Sequence, residues 1–171
     1  MAEKILSSRN YEKLIMVPAG QPWQRPTIAN AHHRLEMVKL AIKSDEILVS
    51  DCEIRRNAPS YALDTVRELR QEFDGDFTWI IGSDALGSLE SWHEIVTLAG
   101  LVDFLVITRP GFDIAGVHVP DYIRWQQIEF GALDISATDI RRALHEGRDV
   151  SALISPQVLS YIQKNQLYGA A

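Results

Sequence analysis

The segment Ile135-Ser136-Ala137-Thr138-Asp139-Ile140-Arg141 concentrates groups that bind anions. Its pattern predicts a strand end turning into a helix, where free backbone N–H groups and the positive end of the helix dipole suit a phosphate. Ser136 and Thr138 add hydroxyl donors, and Arg141, one turn in, reaches the same anion with a planar fork. The same residues serve an ordinary capped helix with a surface arginine. A second constellation is Trp79-Ile80-Ile81-Gly82-Ser83-Asp84-Ala85, running on to Trp92. A buried strand here ends in a small residue and a carboxylate, at the edge where open parallel sheets hold ligands. Gly82 lets a ligand approach the backbone, and Asp84 accepts hydrogen bonds from ribose hydroxyls or an amine. Trp92, about two turns further on if the stretch is helical, offers a flat face to an aromatic ring. The competing reading makes Asp84 a helix cap and Trp92 part of the core.

Three further segments carry single groups of interest. The proline-rich loop Val17-Pro18-Ala19-Gly20-Gln21-Pro22-Trp23-Gln24-Arg25-Pro26 holds Arg25 either for a phosphate or in solvent. Ser60-Tyr61-Ala62-Leu63-Asp64-Thr65 opens a helix whose free N–H groups Ser60 and Asp64 can satisfy. Arg109-Pro110-Gly111 follows a strand and puts an arginine at the carboxyl edge of the sheet. His32 and His33 start a helix with no third metal ligand nearby, so no protein metal site is expected. His93, His118 and His145 form no nucleophile–base pattern. Cys52 has no adjacent basic cluster and reads as a small buried hydrophobe.

The elements that must position these groups alternate in kind. Short apolar runs at Lys13–Val17, Glu46–Val49, Phe77–Ile81 and Val102–Ile107 read as buried strands, with Trp125–Phe130 as a weaker fifth. In Ala31–Ile42, Leu35, Val38 and Ile42 recur three and four apart, as on one face of a helix. Leu63, Val66, Leu69 and then Phe73 do the same over Ala62–Phe73. Ser136–Gly147 and Pro156–Asn165 read as two more helices, with Ser136 as N-cap, Gly147 as stop and Pro156 in the first turn. Strands alternating with helices predict an α/β fold, a Rossmann-like doubly wound parallel sheet. Ala2–Ser8 looks like the end of a helix running straight into a strand, and no glycine precedes Gly20. Either the fold begins unusually, or the first strand of such a sheet and the Gly-rich turn after it are absent from this sequence.

Bulk properties set outer bounds. A chain of 171 residues is the size of one domain, and its apolar and charged fractions are 46% and 23%, those of a globular protein. The net charge of −6 argues against a general nucleic-acid binder, so any phosphate site must be built locally from arginines and N–H groups. With one cysteine no intramolecular disulfide forms, and no apolar run is long enough for a membrane span; a cytoplasmic protein is expected. Oligomeric state is left open, a homo-oligomer included.

The order of the motifs says more than any one of them. VPAGQPWQRP, HRLEMVKLAI, SYALDT, IIGSDALGSLESW, VITRPG, ISATDIRRAL and SPQVLSYIQKNQLY together resemble the bacterial nicotinate-nucleotide adenylyltransferases, along essentially all of Ala2–Tyr168. GSDALGSLESW, ISATDIR and the YIQKNQLY ending are the most specific parts. The resemblance implies one nucleotidylyltransferase domain over 1–171, N-terminally incomplete, that transfers the adenylyl group of ATP to nicotinate mononucleotide with Mg²⁺ carried on ATP. It assigns Trp92 to stacking on the pyridine ring, the backbone around Ala62 and Thr65 to the ring carboxylate, and Arg25 to the mononucleotide phosphate. Gly82 and Asp84 would contact the nucleotide, and Ser136 and Arg141, with Arg109 nearby, would clamp the ATP phosphates. Two departures stand out. The family usually has Thr at the position of Ala62, and it opens with a Gly-Gly-Thr-Phe-Asp-Pro-x-His-x-Gly-His loop that does not occur here. An adenylyltransferase for another phosphorylated acceptor, and a non-catalytic nucleotide-binding remnant, are the alternatives.

Overall fold

Every strand pairing among the described residues is parallel, which requires crossover connections and not hairpins. The structure is a computed structural model that describes residues 2–9, 11–22, 28–108, 114, 116–129, 131 and 136–170. Helix α1 (Ala2–Arg9) is followed by β1 (Leu14–Met16), α2 (Ala31–Ala41), β2 (Ile47–Val49) and the short α3 (Cys52–Arg55). Then come α4 (Ala62–Glu72), β3 (Phe77–Gly82), α5 (Ser83–Leu86), α6 (Ile95–Ala99), β4 (Val102–Thr108) and β5 (Trp125–Glu129). Helices α7 (Ala137–His145) and α8 (Pro156–Lys164) end the order. By compactness the chain divides into two units, Met1–Ser60 with Asp134–Ala171, and Tyr61–Leu133.

In the first unit β1 lies along β2, with Leu14 opposite Ile47 and Met16 opposite Val49. Asn30 caps α2 by accepting from the His33 N–H at 2.9 Å. Helices α7 and α8 meet over a small core of Ala143, Leu144, Val150, Ile162 and Ala170. Cys52 is buried, as its type and setting led one to expect.

In the second unit the order is β3-β4-β5, with Phe77 opposite Val102 and Phe104 opposite Trp125. Strand β4 is central, and Val102, Phe104, Leu105 and Val106 are each at most 1% exposed. Burial on both faces is why its sequence is a continuous apolar run rather than an alternating one. The stripe of Leu63, Val66 and Leu69 on α4 is buried too, so the three-and-four spacing located that face correctly.

Expected and observed elements differ by a residue or so at their ends, where helices fray and strands widen. Gly82 belongs to β3 rather than to the turn after it. Phe130, expected in the fifth strand, lies outside the described residues. Helices α3, α5 and α6 were not anticipated, because four or five residues are too few to show a helical period. The stretch from Asp84 to Trp92 is not one helix. After α5 it breaks at Gly87 and Ser88 and re-forms as a 3₁₀ turn, Leu89–Ser91. Serine hydroxyls compete with the helix there: Ser88 Oγ donates to the Ala85 carbonyl at 2.9 Å and Ser91 Oγ to the Ser88 carbonyl at 2.7 Å. Among the described residues no helix is long and apolar enough to cross a membrane.

Candidate active site

The groups of interest fall in both units. In the first, Ser136 is the N-cap of α7: its Oγ accepts the Thr138 N–H at 3.2 Å. Arg141 donates from Nη2 to Thr138 Oγ1 at 3.1 Å, which draws the guanidinium back over the first turn. Hydroxyl, free N–H groups and cation are thus gathered at one helix start, on a helix held by Ala143 and Leu144 in the core. The carboxylate of Asp139 in that turn would oppose a bound anion, but Arg142 pairs with it. The far end of α7 closes as expected at Gly147, with φ +66°, and the Arg148 N–H bonds back to the Ala143 carbonyl at 2.8 Å.

Tyr168, in the YIQKNQLY ending, lies near this turn. Burial raises its phenol above the ordinary value, and the positive charges of Arg141 and Arg34 act to lower it. Arg34 itself donates to the Ala29 carbonyl at 3.3 Å and the Gly20 carbonyl at 3.5 Å. Gly20 is needed for its size, because a Cβ there would overlap the Glu53 carbonyl. Arg25, a few residues on, and Arg109 at the end of β4 lie outside the described residues.

In the second unit Gly82 and Asp84 are exposed at the carboxyl end of β3. Gly82 precedes α5 as its N-cap without a side-chain cap bond, so the expected alternative of Asp84 as a cap is not what the backbone shows. Instead the Asp84 carboxylate folds back over Gly82, where a Cβ would meet Oδ1 at 2.5 Å. Trp92 follows the 3₁₀ turn and packs, half-buried, against the core that contains Leu63 and Leu89. Its Nε1 is buried and has no hydrogen-bond partner among the described residues. The ring therefore combines both readings of the sequence, part core and part available surface.

Helix α4 begins after Tyr61, and no side chain caps it. The expected cap Ser60 is engaged elsewhere: its Oγ accepts the Gln21 N–H at 3.0 Å, from a residue far away in sequence. The first-turn N–H groups of the half-buried Ala62 and Asp64 are therefore left for a partner outside the helix. Thr65 is fully buried beneath them, and both its N–H and its Oγ1 bond to the Tyr61 carbonyl at 3.2 Å. The ring of Tyr61 stacks on that of His93, with centroids 4.3 Å apart at an interplanar angle of 22°. Spacing alone did not point to that pair, because it joins two loops. Among the described residues no group of three or more His, Cys, Asp or Glu side chains converges as a metal site.

Parallel strands alternating with helices make this an α/β protein, and residues 1–143 match the cytidylyltransferase-like family model. The chain is 37% identical to a protein of Chromobacterium violaceum named "Probable nicotinate-nucleotide adenylyltransferase", over 98% of this chain and 90% of that one. It is 38% identical to a protein of the same name from a Synechococcus strain, over 98% and 86%. In fold it is similar to the solved nicotinic acid mononucleotide adenylyltransferase of Plasmodium falciparum complexed with NaAD, with a TM-score of 0.77, 20% identity, and coverage of 99% and 89%. The chain belongs to the nicotinate-nucleotide adenylyltransferase family.

Proposed function

We propose that this protein transfers the adenylyl group of ATP to nicotinate mononucleotide, giving deamido-NAD and pyrophosphate. The observation that carries the reading is the identity of more than a third to relatives of that name across nearly the whole chain. The continuous family match over 1–143 supports treating the chain as one nucleotidylyltransferase domain. A phosphate oxygen of the mononucleotide attacks the α-phosphorus of ATP in line, and the bond from that phosphorus to the bridging oxygen of the β-phosphate breaks. No covalent enzyme intermediate is required.

The protein's work is then positioning and neutralisation of charge. At the start of α7 the Ser136 and Thr138 hydroxyls, the first-turn N–H groups and the Arg141 fork receive the triphosphate. Arg109 is assigned to the ATP phosphates and Arg25 to the mononucleotide phosphate. Gly82 and Asp84 meet the nucleotide at the end of β3. Trp92 stacks on the pyridine ring, and the open first turn of α4, at Ala62 with Thr65 bracing it from below, takes the ring carboxylate. The donor set at α7 consists of hydroxyls, N–H groups and a guanidinium, which fits phosphate oxygens. A Mg²⁺ ion held by those oxygens and water needs no cage of protein carboxylates, and supplies further neutralisation of the leaving pyrophosphate. We assign the enzyme to the cytoplasm, since a chain with a single cysteine fits a reducing compartment.

The test is pyrophosphate release by the gene product with ATP, Mg²⁺ and, in separate reactions, nicotinate mononucleotide, nicotinamide mononucleotide and phosphopantetheine. Preference for nicotinate mononucleotide is expected. Preference for another acceptor would move the protein to a neighbouring specificity. ATP binding without pyrophosphate release from any acceptor would leave a non-catalytic nucleotide-binding protein.

A further inference from the structure

Trp92 and the first turn of α4 have to act on one small ring, yet they belong to different loops. Two contacts join them. Tyr61, the residue just before the helix, stacks on His93, the residue just after Trp92. Further along the same helix, Arg67 Nη2 lies 3.9 Å from Glu94 Oε2. Glu94 is in turn 3.5 Å from His93 Nε2 through its other oxygen. Glu94 also has φ 46° and ψ 45°, a left-handed conformation that a residue other than glycine keeps only where its surroundings hold it. On its other side the turn is tied by the Trp92 N–H, which bonds to the Leu89 carbonyl at 2.9 Å.

We propose that α4 and the residue that precedes it clamp the turn that carries Trp92, with Tyr61 and His93 as the positioning pair that sets the pyridine-stacking face against the open N–H groups of the helix. The inference rests on the acceptor reading given above. Of the two contacts the ring stack dominates. The side chains of Arg67 and Glu94 are 50% and 49% exposed, and ion pairs of that kind contribute little. A stacked ring pair resists sliding and tilting, which are the motions that would part the indole from the carboxylate-binding amides. Neither ring touches the substrate: the pair sets geometry for the mononucleotide alone.

The experiment is steady-state kinetics of His93→Ala, His93→Phe, Tyr61→Ala and the double variant Tyr61→Ala/His93→Ala. His93 is an exposed side chain, so its removal leaves the fold intact. Loss of the stack is expected to raise KM for nicotinate mononucleotide roughly 3- to 10-fold, the size of one aromatic pair, with KM for ATP unchanged. His93→Phe restores the stack and should restore KM, whereas a lost hydrogen bond or charge would not be recovered. The double variant should be no worse than the worse single. Equal effects on both substrates, no rescue by Phe, or additive losses would overturn the clamp. Amide hydrogen exchange at 92–95 supplies a readout that needs no substrate. Faster exchange in His93→Ala is expected even if nicotinate mononucleotide proves not to be the acceptor, and unchanged exchange would overturn the clamp whichever acceptor is used.

Discussion

Replacing Trp92 separates the two roles that its half-buried position combines. Truncating a fully buried Trp to Ala costs about 3–5 kcal/mol. Trp92 packs against the core on part of its surface only, so about 2–3 kcal/mol of that applies. Its Nε1–H is buried without a partner among the described residues, a penalty of about 1 kcal/mol or more that the Ala variant escapes. The net loss expected for Trp92→Ala is about 1–2 kcal/mol, a fall in Tm of roughly 2–8 °C for a chain of this size. Loss of the stacking face removes about 1–3 kcal/mol of binding, which is roughly a 5- to 150-fold rise in Kd for nicotinate mononucleotide. Trp92→Phe keeps an aromatic face and much of the packing but has no N–H to bury. It should bind nearly as well as the parent and melt within about 2 °C of it. Thermal unfolding and calorimetric titration with the mononucleotide measure both quantities on each variant. An Ala variant with unchanged Tm would mean that the indole does not support the core. Unchanged affinity for the mononucleotide would remove Trp92 from the acceptor site.

Arg141→Ala should lower turnover by roughly 10²–10³, the scale of one preorganised donor, with partial recovery in Arg141→Lys because an ammonium lacks the fork; near-parental turnover in the Ala variant would refute the assignment. Gly20→Ala forces a methyl group onto the Glu53 carbonyl and should cost about 1–3 kcal/mol by urea unfolding. Gly116→Ala, where a Cβ meets nothing within 4 Å, should stay within about 0.5 kcal/mol and serves as its control. The Tyr168 phenol is raised by burial, so the folded state holds that proton more tightly than the unfolded one. Its contribution is complete below the unfolded value of about 10 and is lost as pH rises toward the folded one. Tyr168→Phe should therefore flatten the alkaline fall in Tm above about pH 10 while leaving its acid side unchanged.

What the sequence determined by itself was whatever depends on neighbours along the chain. Ser136 and Pro156 start their helices and Gly147 ends one, because caps, fixed φ and left-handed stops act within a few residues. Leu63, Val66 and Leu69 face the core because their spacing leaves them only one common face, and β4 is a buried strand because its residues on both faces are apolar. The ordered motifs also identified the family, since each motif is a local string. Tertiary structure decided which partner a polar group takes when a distant one competes. Ser60 is a sound helix cap on its own, yet its hydroxyl goes to Gln21, leaving the first turn of α4 open. Thr65 sits under that turn and not at its surface because the buried stripe of α4 includes it. Trp92 is half core because the stretch before it breaks into short turns that fold the indole back, where one helix would have carried it onward. The Tyr61–His93 stack was invisible for the same reason. Contacts between loops are set by how the core draws the chain together, and a one-dimensional pattern carries no record of that distance.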